Sequence, residues 1–208
     1  NSVCSILKNT GININTIPVM DLLQKSTHNI IKNRSFSKNL KTVKILGKTC
    51  IKVLKNNKIG SVAKHIPGHG CANSDSHKRL PIVNNSSKKL FLKDFSAFKN
   101  LNSHFVMTVH VLYKKIDKKF SATHSEKIIK EIIRKKLKFR GIIISDDIGM
   151  KALSNNLLIN TSLALKSGCN LVLYCGGKFQ ESSLILRSLD KIDTFTKKKT
   201  RQFYQFLR

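Results

Sequence analysis

The chain has no tryptophan, and aromatic residues make up only 7% of its 208 residues. Platforms on which nucleic-acid bases could stack are therefore sparse. No apolar run approaches the length needed to cross a bilayer, so no membrane partner is expected. No glycine fingerprint for a dinucleotide follows any strand-like stretch. The five cysteines, Cys4, Cys50, Cys71, Cys169 and Cys175, are odd in number and lack paired metal-ligand spacing. They read as core residues of a protein from a reducing compartment. Acidic residues are also scarce, 11 against 39 Lys and Arg, which leaves a formal net charge of +28.

That excess has two readings. An anionic partner such as a nucleic acid or an acidic polymer is one. The other is compositional bias, because Lys, Asn and Ile are all abundant, as an AT-rich genome would produce. Basic residues are spread along the whole chain and stacking aromatics are few, so the second reading is preferred and no nucleic-acid partner is expected. Only Lys197-Lys198-Lys199 with Arg201 forms a local cluster, which reads as a solvated end. The first residue is Asn rather than Met, so the lack of a leader says little.

At 208 residues one domain is the default, long enough to bury a core. Short apolar runs alternate with helical patterns. Strands are expected at 12–17, 59–63, 105–109, 141–145 and 170–174. Helices are expected at 40–58 (through Val43, Leu46, Cys50, Val53 and Leu54), 90–100, 151–166 and 181–189. Thr123-x-x-Glu126 has the form of a capping box opening a further helix through Ile128, Ile129, Ile132, Ile133 and Leu137. Strands separated by crossover-length segments imply a parallel sheet of an α/β fold. Asp21, Lys64, His65, His110 and Asp146 all fall at strand C-terminal ends. That distribution suits a TIM-type (β/α) barrel better than the single crevice of a doubly wound sheet.

Two constellations carry chemistry. Lys64 and His65 end a strand and are followed by the loop Pro67-Gly68-His69-Gly70, then by Asp75-Ser76-His77. In an extended segment residues two apart share a side, so Asp75 is placed to fix the imidazole of His77 as part of an acid/base site. The second is Gly141-Ile142-Ile143-Ile144-Ser145-Asp146-Asp147, a buried-strand run ending in adjacent carboxylates. Alternation puts Asp146 on the face of Ile142 and Ile144 and turns Asp147 away, where it reads as a charge for the N-terminus of the next helix. Asp21 reads as structural, bonding loop amides, and His69 as stabilising its own loop. His110 is left open between a structural and a functional role. For Arg34 the structural alternative to ligand contact is a buried ion pair.

The run Lys64-His-Ile-Pro-Gly-His-Gly70, Asp75-Ser-His77 and Leu80-Pro81 resembles the signature of single-domain bacterial β-N-acetylglucosaminidases of glycoside hydrolase family 3. Ile132-Ile133-Arg134-Lys135-Lys136 followed by Gly141 to Asp146 is similar to that family's nucleophile motif. Pro18-Val-Met-Asp21 and Asn33-Arg34-Ser-Phe36 occur in the family's order. The likeness covers roughly residues 12–175. Cys71 departs from it, standing where many relatives carry a small polar or acidic residue.

The resemblance implies a retaining exo-β-N-acetylglucosaminidase that removes terminal N-acetylglucosamine from muropeptides in cytoplasmic cell-wall recycling, with no metal or other cofactor. It implies an incomplete β/α barrel whose first strands lie before Asn1. By position, Asp146 is implied as the nucleophile, His77 as the acid/base and Asp75 as its partner. Arg34, Lys64 and His65 are implied as sugar-binding residues. A different class of function is an inactive barrel fragment that holds anionic glycan or nucleic acid through its basic surface. A β-glucosidase relative with a second domain supplying the acid is weakened, because an acid/base pair already lies in this chain.

Overall fold

The structure, a computed structural model, describes residues 2–208. Its strands form where apolar, β-branched runs are bounded by Gly, Asn or Ser. They are β1 (Ile14–Asn15), β2 (Gly60–Ile66), β3 (Ile82–Val83), β4 (Phe105–Thr108), β5 (Leu112–Tyr113), β6 (Ile142–Asp147) and β7 (Leu171–Leu173). Five of them make one sheet in the order β1-β2-β4-β6-β7, and every neighbouring pair is parallel. The order follows the chain without reversal, whereas a doubly wound sheet reverses at a switch point. Winding in one direction puts the carboxyl ends of all five strands along one rim. β3 and β5 form a separate parallel pair.

Alternation assigns the two faces. Ala63, Val106 and Ile143 point into the main core under the helices. Val62, Phe105, Met107 and Ile142 line the opposite face in register, Val62 beside Phe105 and Phe105 beside Ile142. The helical elements are α1 (Ser2–Asn9), α2 (Asn29–Lys32), α3 (Leu40–Asn56), α4 (Ser87–Leu92), α5 (Leu157–Ser167), α6 (Phe179–Arg187) and α7 (Thr194–Leu207).

Several details differ from the sequence expectation. The buried stripe of α3 is Val43, Gly47, Ile51 and Leu54, while Leu46 and Val53 are exposed. The true stripe includes a glycine, which a hydrophobicity pattern skips. Gly47 leaves room for Met20, whose Cε lies 2.7 Å from where a Cβ would stand. The helix expected at 90–100 is split into α4 and a 3-10 turn, Phe95–Phe98. The one expected from Lys151 begins only at Leu157, where Asn156 accepts the Ile159 amide as its cap.

The capping box also reads differently. A 3-10 turn, Ala122–His124, is followed by a π-helix, Lys127–Lys136. Ser125 rather than Thr123 accepts an amide there, from Ile128 at 3.2 Å, and Glu126 pairs with Lys130. The basic tail is solvated at Lys197, Lys198 and Arg201, as expected, but it lies on a helix that packs on the sheet. It is α7, N-capped by Asp193, with Phe203 buried against Phe105 and with Phe206 and Leu207 beside it.

Candidate active site

The rim of the sheet gathers the polar residues. A bridge between Val19 and Lys64 sets the segment carrying Asp21 beside the end of β2. Asp21 is fully buried: Oδ1 accepts the His69 amide at 2.6 Å, and Oδ2 lies 2.6 Å from His65 Nδ1. Burial pushes this carboxyl's pKa up, but the His65 charge and hydrogen bond, with His69, outweigh it and hold it below the ordinary range. Asp21 is thus the loop-bonding residue expected. It fixes the His65 ring and leaves Nε2 without a protein partner among the described residues. His69 keeps its loop in place through its amide, while both of its ring nitrogens are buried without a partner. Burial pushes its pKa down.

The loop on either side of His69 is packed too tightly for side chains at Gly68 and Gly70. A Cβ on Gly70 would lie 2.0 Å from the Leu22 carbonyl oxygen, and one on Gly68, whose φ is +145°, 2.7 Å from Asp94 Cβ. Tyr113 Oη donates to the Gly68 carbonyl at 2.5 Å. Asp75 and His77 follow. Asp75 Oδ1 accepts the His77 amide at 2.9 Å and lies 2.8 Å from its Nδ1. The pair forms in a turn, closed by Lys78 and Arg79 amides on the Asp75 carbonyl, rather than in the extended segment expected. The carboxylate is largely covered and the imidazole is exposed. Burial raises the Asp75 pKa, but its bonds to the His77 amide and ring together outweigh this and bring it below the ordinary value. With Nδ1 held by a carboxylate, Nε2 faces outward as a group able to give or take a proton.

Asp146 stands at the end of β6, where the register with β7 shifts between Ile144 and Asp147. Such a bulge re-aims side chains at a strand's end. Ser145 Oγ accepts the Leu173 amide at 3.0 Å across the shift. Asp147 does not serve the next helix, which starts at Leu157. Its Oδ1 accepts the Gly149 and Cys175 amides, each at 3.0 Å, and so ties two rim loops together. Asp146 Oδ1 accepts the Asp147 amide at 2.8 Å, which orients the carboxylate.

Lys64 connects these groups. Burial and the Arg34 charge push its pKa down, while Asp146 and Asp21 pull it back up. Arg34 is exposed, not in a buried ion pair. Its Nε donates to the Ile30 carbonyl at 2.8 Å, and its charge lies near enough to Lys64 to act on it. The two cations border a cavity of about 580 Å³ whose walls include Ile17, Val19, Phe36 and Leu46. The His77 loop and the β6 loop meet on the same rim: the Ala152 amide donates to the Ser76 carbonyl at 3.2 Å. The structure therefore brings Asp75, His77, Asp146, Lys64, His65 and Arg34 to one end of the sheet.

Other rim residues carried no sequence signal. Gln24 donates to both oxygens of Asp94, a fully buried carboxylate that burial pushes up to about 6. Thr108 and Thr123 join a buried network with His110. Of this network the sequence singled out only His110.

Solved structures share this fold. NagZ from Neisseria gonorrhoeae, in complex with N-trifluoroacetyl-D-glucosamine, matches with a TM-score of 0.85 and 28% identity over 99% of this chain and 59% of its own. A β-hexosaminidase of Psychromonas ingrahamii is 33% identical over 180 residues, 84% of this chain and 52% of that protein. One from Haemophilus influenzae is 34% identical over 187 residues, 87% of this chain and 51% of that protein. The chain thus spans about half the length of these curated relatives. Residues 3–201 match the family described as the glycosyl hydrolase family 3 N-terminal domain, and the chain belongs to that family.

Proposed function

We propose that the protein is a retaining exo-β-N-acetylglucosaminidase acting on terminal N-acetylglucosamine of muropeptides, in cytoplasmic peptidoglycan recycling. The observation that carries this reading is the convergence of the Asp75–His77 pair and Asp146 on one rim, joined through the Ser76–Ala152 hydrogen bond. The sugar complex of the Neisseria protein supports the substrate class. In this scheme the five parallel strands are part of a TIM-type (β/α) barrel, and residues 1–208 are a portion of its catalytic domain.

Asp146 attacks the anomeric carbon and forms a covalent glycosyl-enzyme as the glycosidic bond breaks. His77 Nε2 donates its proton to the departing oxygen. The same nitrogen then takes a proton from water, which attacks the anomeric carbon and releases Asp146. Two carboxylates do this work in most retaining glycosidases, and here an imidazole replaces one of them. Asp75 holds its tautomer. Lys64 and Arg34 donate hydrogen bonds to sugar hydroxyls, and His65 Nε2, its Nδ1 held by Asp21, accepts one. A neutral base repels an anionic acceptor less than a carboxylate does, so transfer to phosphate in place of water is worth testing by assaying for the sugar phosphate.

The 208-residue chain is expected to release chromophore from an aryl β-N-acetylglucosaminide. D146N abolishes that release, and H77A lowers it about 10²–10⁴-fold. Full turnover by D146N would overturn the nucleophile assignment.

A second reading has its own observation. Lys41, Lys44, Lys48, Lys52 and Lys55 recur at helical spacing along α3, and none has a carboxylate partner among the described residues. A barrel fragment holding an anionic polymer there would bind with a steep salt dependence that survives D146N and H77A. Binding that is absent at low salt removes this reading.

A further inference from the structure

His110 ends the run after β4 and is fully buried, as are Thr108 and Thr123. Its ring has a partner on each side: Nε2 lies 2.9 Å from the Asp147 carbonyl oxygen, and Nδ1 lies 2.8 Å from Thr123 Oγ1. Thr123 Oγ1 is in turn 2.8 Å from Thr108 Oγ1, and the Asp146 amide reaches Thr108 Oγ1 at 3.3 Å.

Donors and acceptors fix the direction of every bond in this set. A carbonyl oxygen only accepts, so the proton of His110 sits on Nε2. A neutral ring then offers the Nδ1 lone pair, which accepts from the Thr123 hydroxyl. The Thr123 oxygen, its one proton committed, accepts from Thr108. The Thr108 oxygen is left to accept the Asp146 amide. The other tautomer would set a lone pair of Nε2 against that of the carbonyl in a dry site, a costly arrangement. An imidazolium is opposed by burial, which pushes the His110 pKa down. The alternative acceptor for Thr123, the Val109 carbonyl, is more distant at 3.2 Å.

We infer that His110 is a positioning residue for Asp146, acting through Thr123 and Thr108 as a directional clamp that holds the Asp146 amide and the Asp147 carbonyl at once. The peptide unit between those two groups carries the amide that orients the Asp146 carboxylate, at 2.8 Å. Movement of either clamped group therefore turns the carboxylate. The role rests on the reading of Asp146 as the nucleophile under Proposed function, and the test separates the two.

The test uses the ¹⁵N-labelled 208-residue chain with H110F and H110Q. At neutral pH the wild-type ring is expected to be the Nε2-protonated tautomer by ¹⁵N shifts. H110F is expected to speed exchange of the Asp146 amide about tenfold or more. H110Q returns a donor to the Asp147 carbonyl and is expected to recover most of that protection. In aryl β-N-acetylglucosaminide hydrolysis, H110F is expected to lower kcat about a hundredfold with KM little changed, and H110Q to regain part of the loss.

An Nδ1-protonated or doubly protonated ring overturns the clamp, as does an Asp146 amide indifferent to H110F or a loss confined to KM. If H110F does not fold, the wild-type tautomer and the exchange in H110Q still decide. A wild-type chain that hydrolyses nothing removes the glycosidase reading, while the tautomer and exchange results still judge the clamp.

Discussion

Asp94 is about 1% exposed, is bonded by Gln24, and wedges its Cβ against the Gly68 loop. Burial pushes its pKa from 3.8 up to about 6. A carboxyl raised on folding contributes stability that is complete below about pH 4 and lost as pH rises through about 6. Asp21 has the opposite sign: its contribution is present above about pH 4 and lost in stronger acid. His104 and His124, both lowered to about 4, also lose stabilisation as pH falls from about 6.5. The Asp94 effect is therefore read as a difference. The melting temperature of the wild type, minus that of D94N, is expected to rise as pH drops from about 7 to about 4.5. Parallel profiles would show that the buried carboxyl is not raised. At Gly70, replacement by Ala drives a Cβ into the Leu22 carbonyl, backbone that cannot swing aside. G70A is expected to lose about 1–3 kcal/mol or more in denaturant unfolding.

Residue chemistry was more legible than its local geometry. The spacing of Asp75 and His77 announced their contact, yet a turn makes it rather than an extended strand. Asp94 and Gln24 lie seventy positions apart in the sequence, and nothing in either neighbourhood announces the other.

At the level of elements, strands were found because short apolar runs bounded by polar residues have few other uses. Their ends were placed less well: β1 spans only Ile14–Asn15, while β2 and β6 run on to Ile66 and Asp147. Helix α7 was missed because four basic residues in its middle mask the spacing of Phe203, Phe206 and Leu207. Phe203 lies 5.2 Å from the His104 ring and 4.9 Å from Phe105, and its ring approaches Gly60 so closely that a Cβ there would collide at 2.7 Å. F203A is expected to cost about 3–5 kcal/mol, measured by urea unfolding. A loss below about 1 kcal/mol would mean that α7 does not hold the sheet's inner face.

For the whole molecule, the parallel α/β architecture and the rim location of its polar residues were legible, because chain order alone dictated both. The family followed from the motifs. The surface imbalance is a separate matter: 39 cations face 11 anions, and three Lys–Glu pairs are formed among the described residues. Repulsion of this kind weakens with screening, whose length falls from about 30 Å at 0.01 M salt to about 8 Å at 0.15 M. The melting temperature is expected to climb by several degrees over that range. A flat response would mean that the charges are too dispersed to oppose folding. No described helix is long and apolar enough to cross a membrane.

The Ser76–Ala152 hydrogen bond anchors the chain one residue before His77, and both ends of that anchor belong to rim loops. The imidazole is therefore a pendant on a short leash rather than the tip of a free arm. Any swing wider than side-chain rotation must first unfasten Ala152, six positions beyond Asp146. His77 and Asp146 then share one latch, so a ligand that draws the first inward also registers at the strand bearing the second.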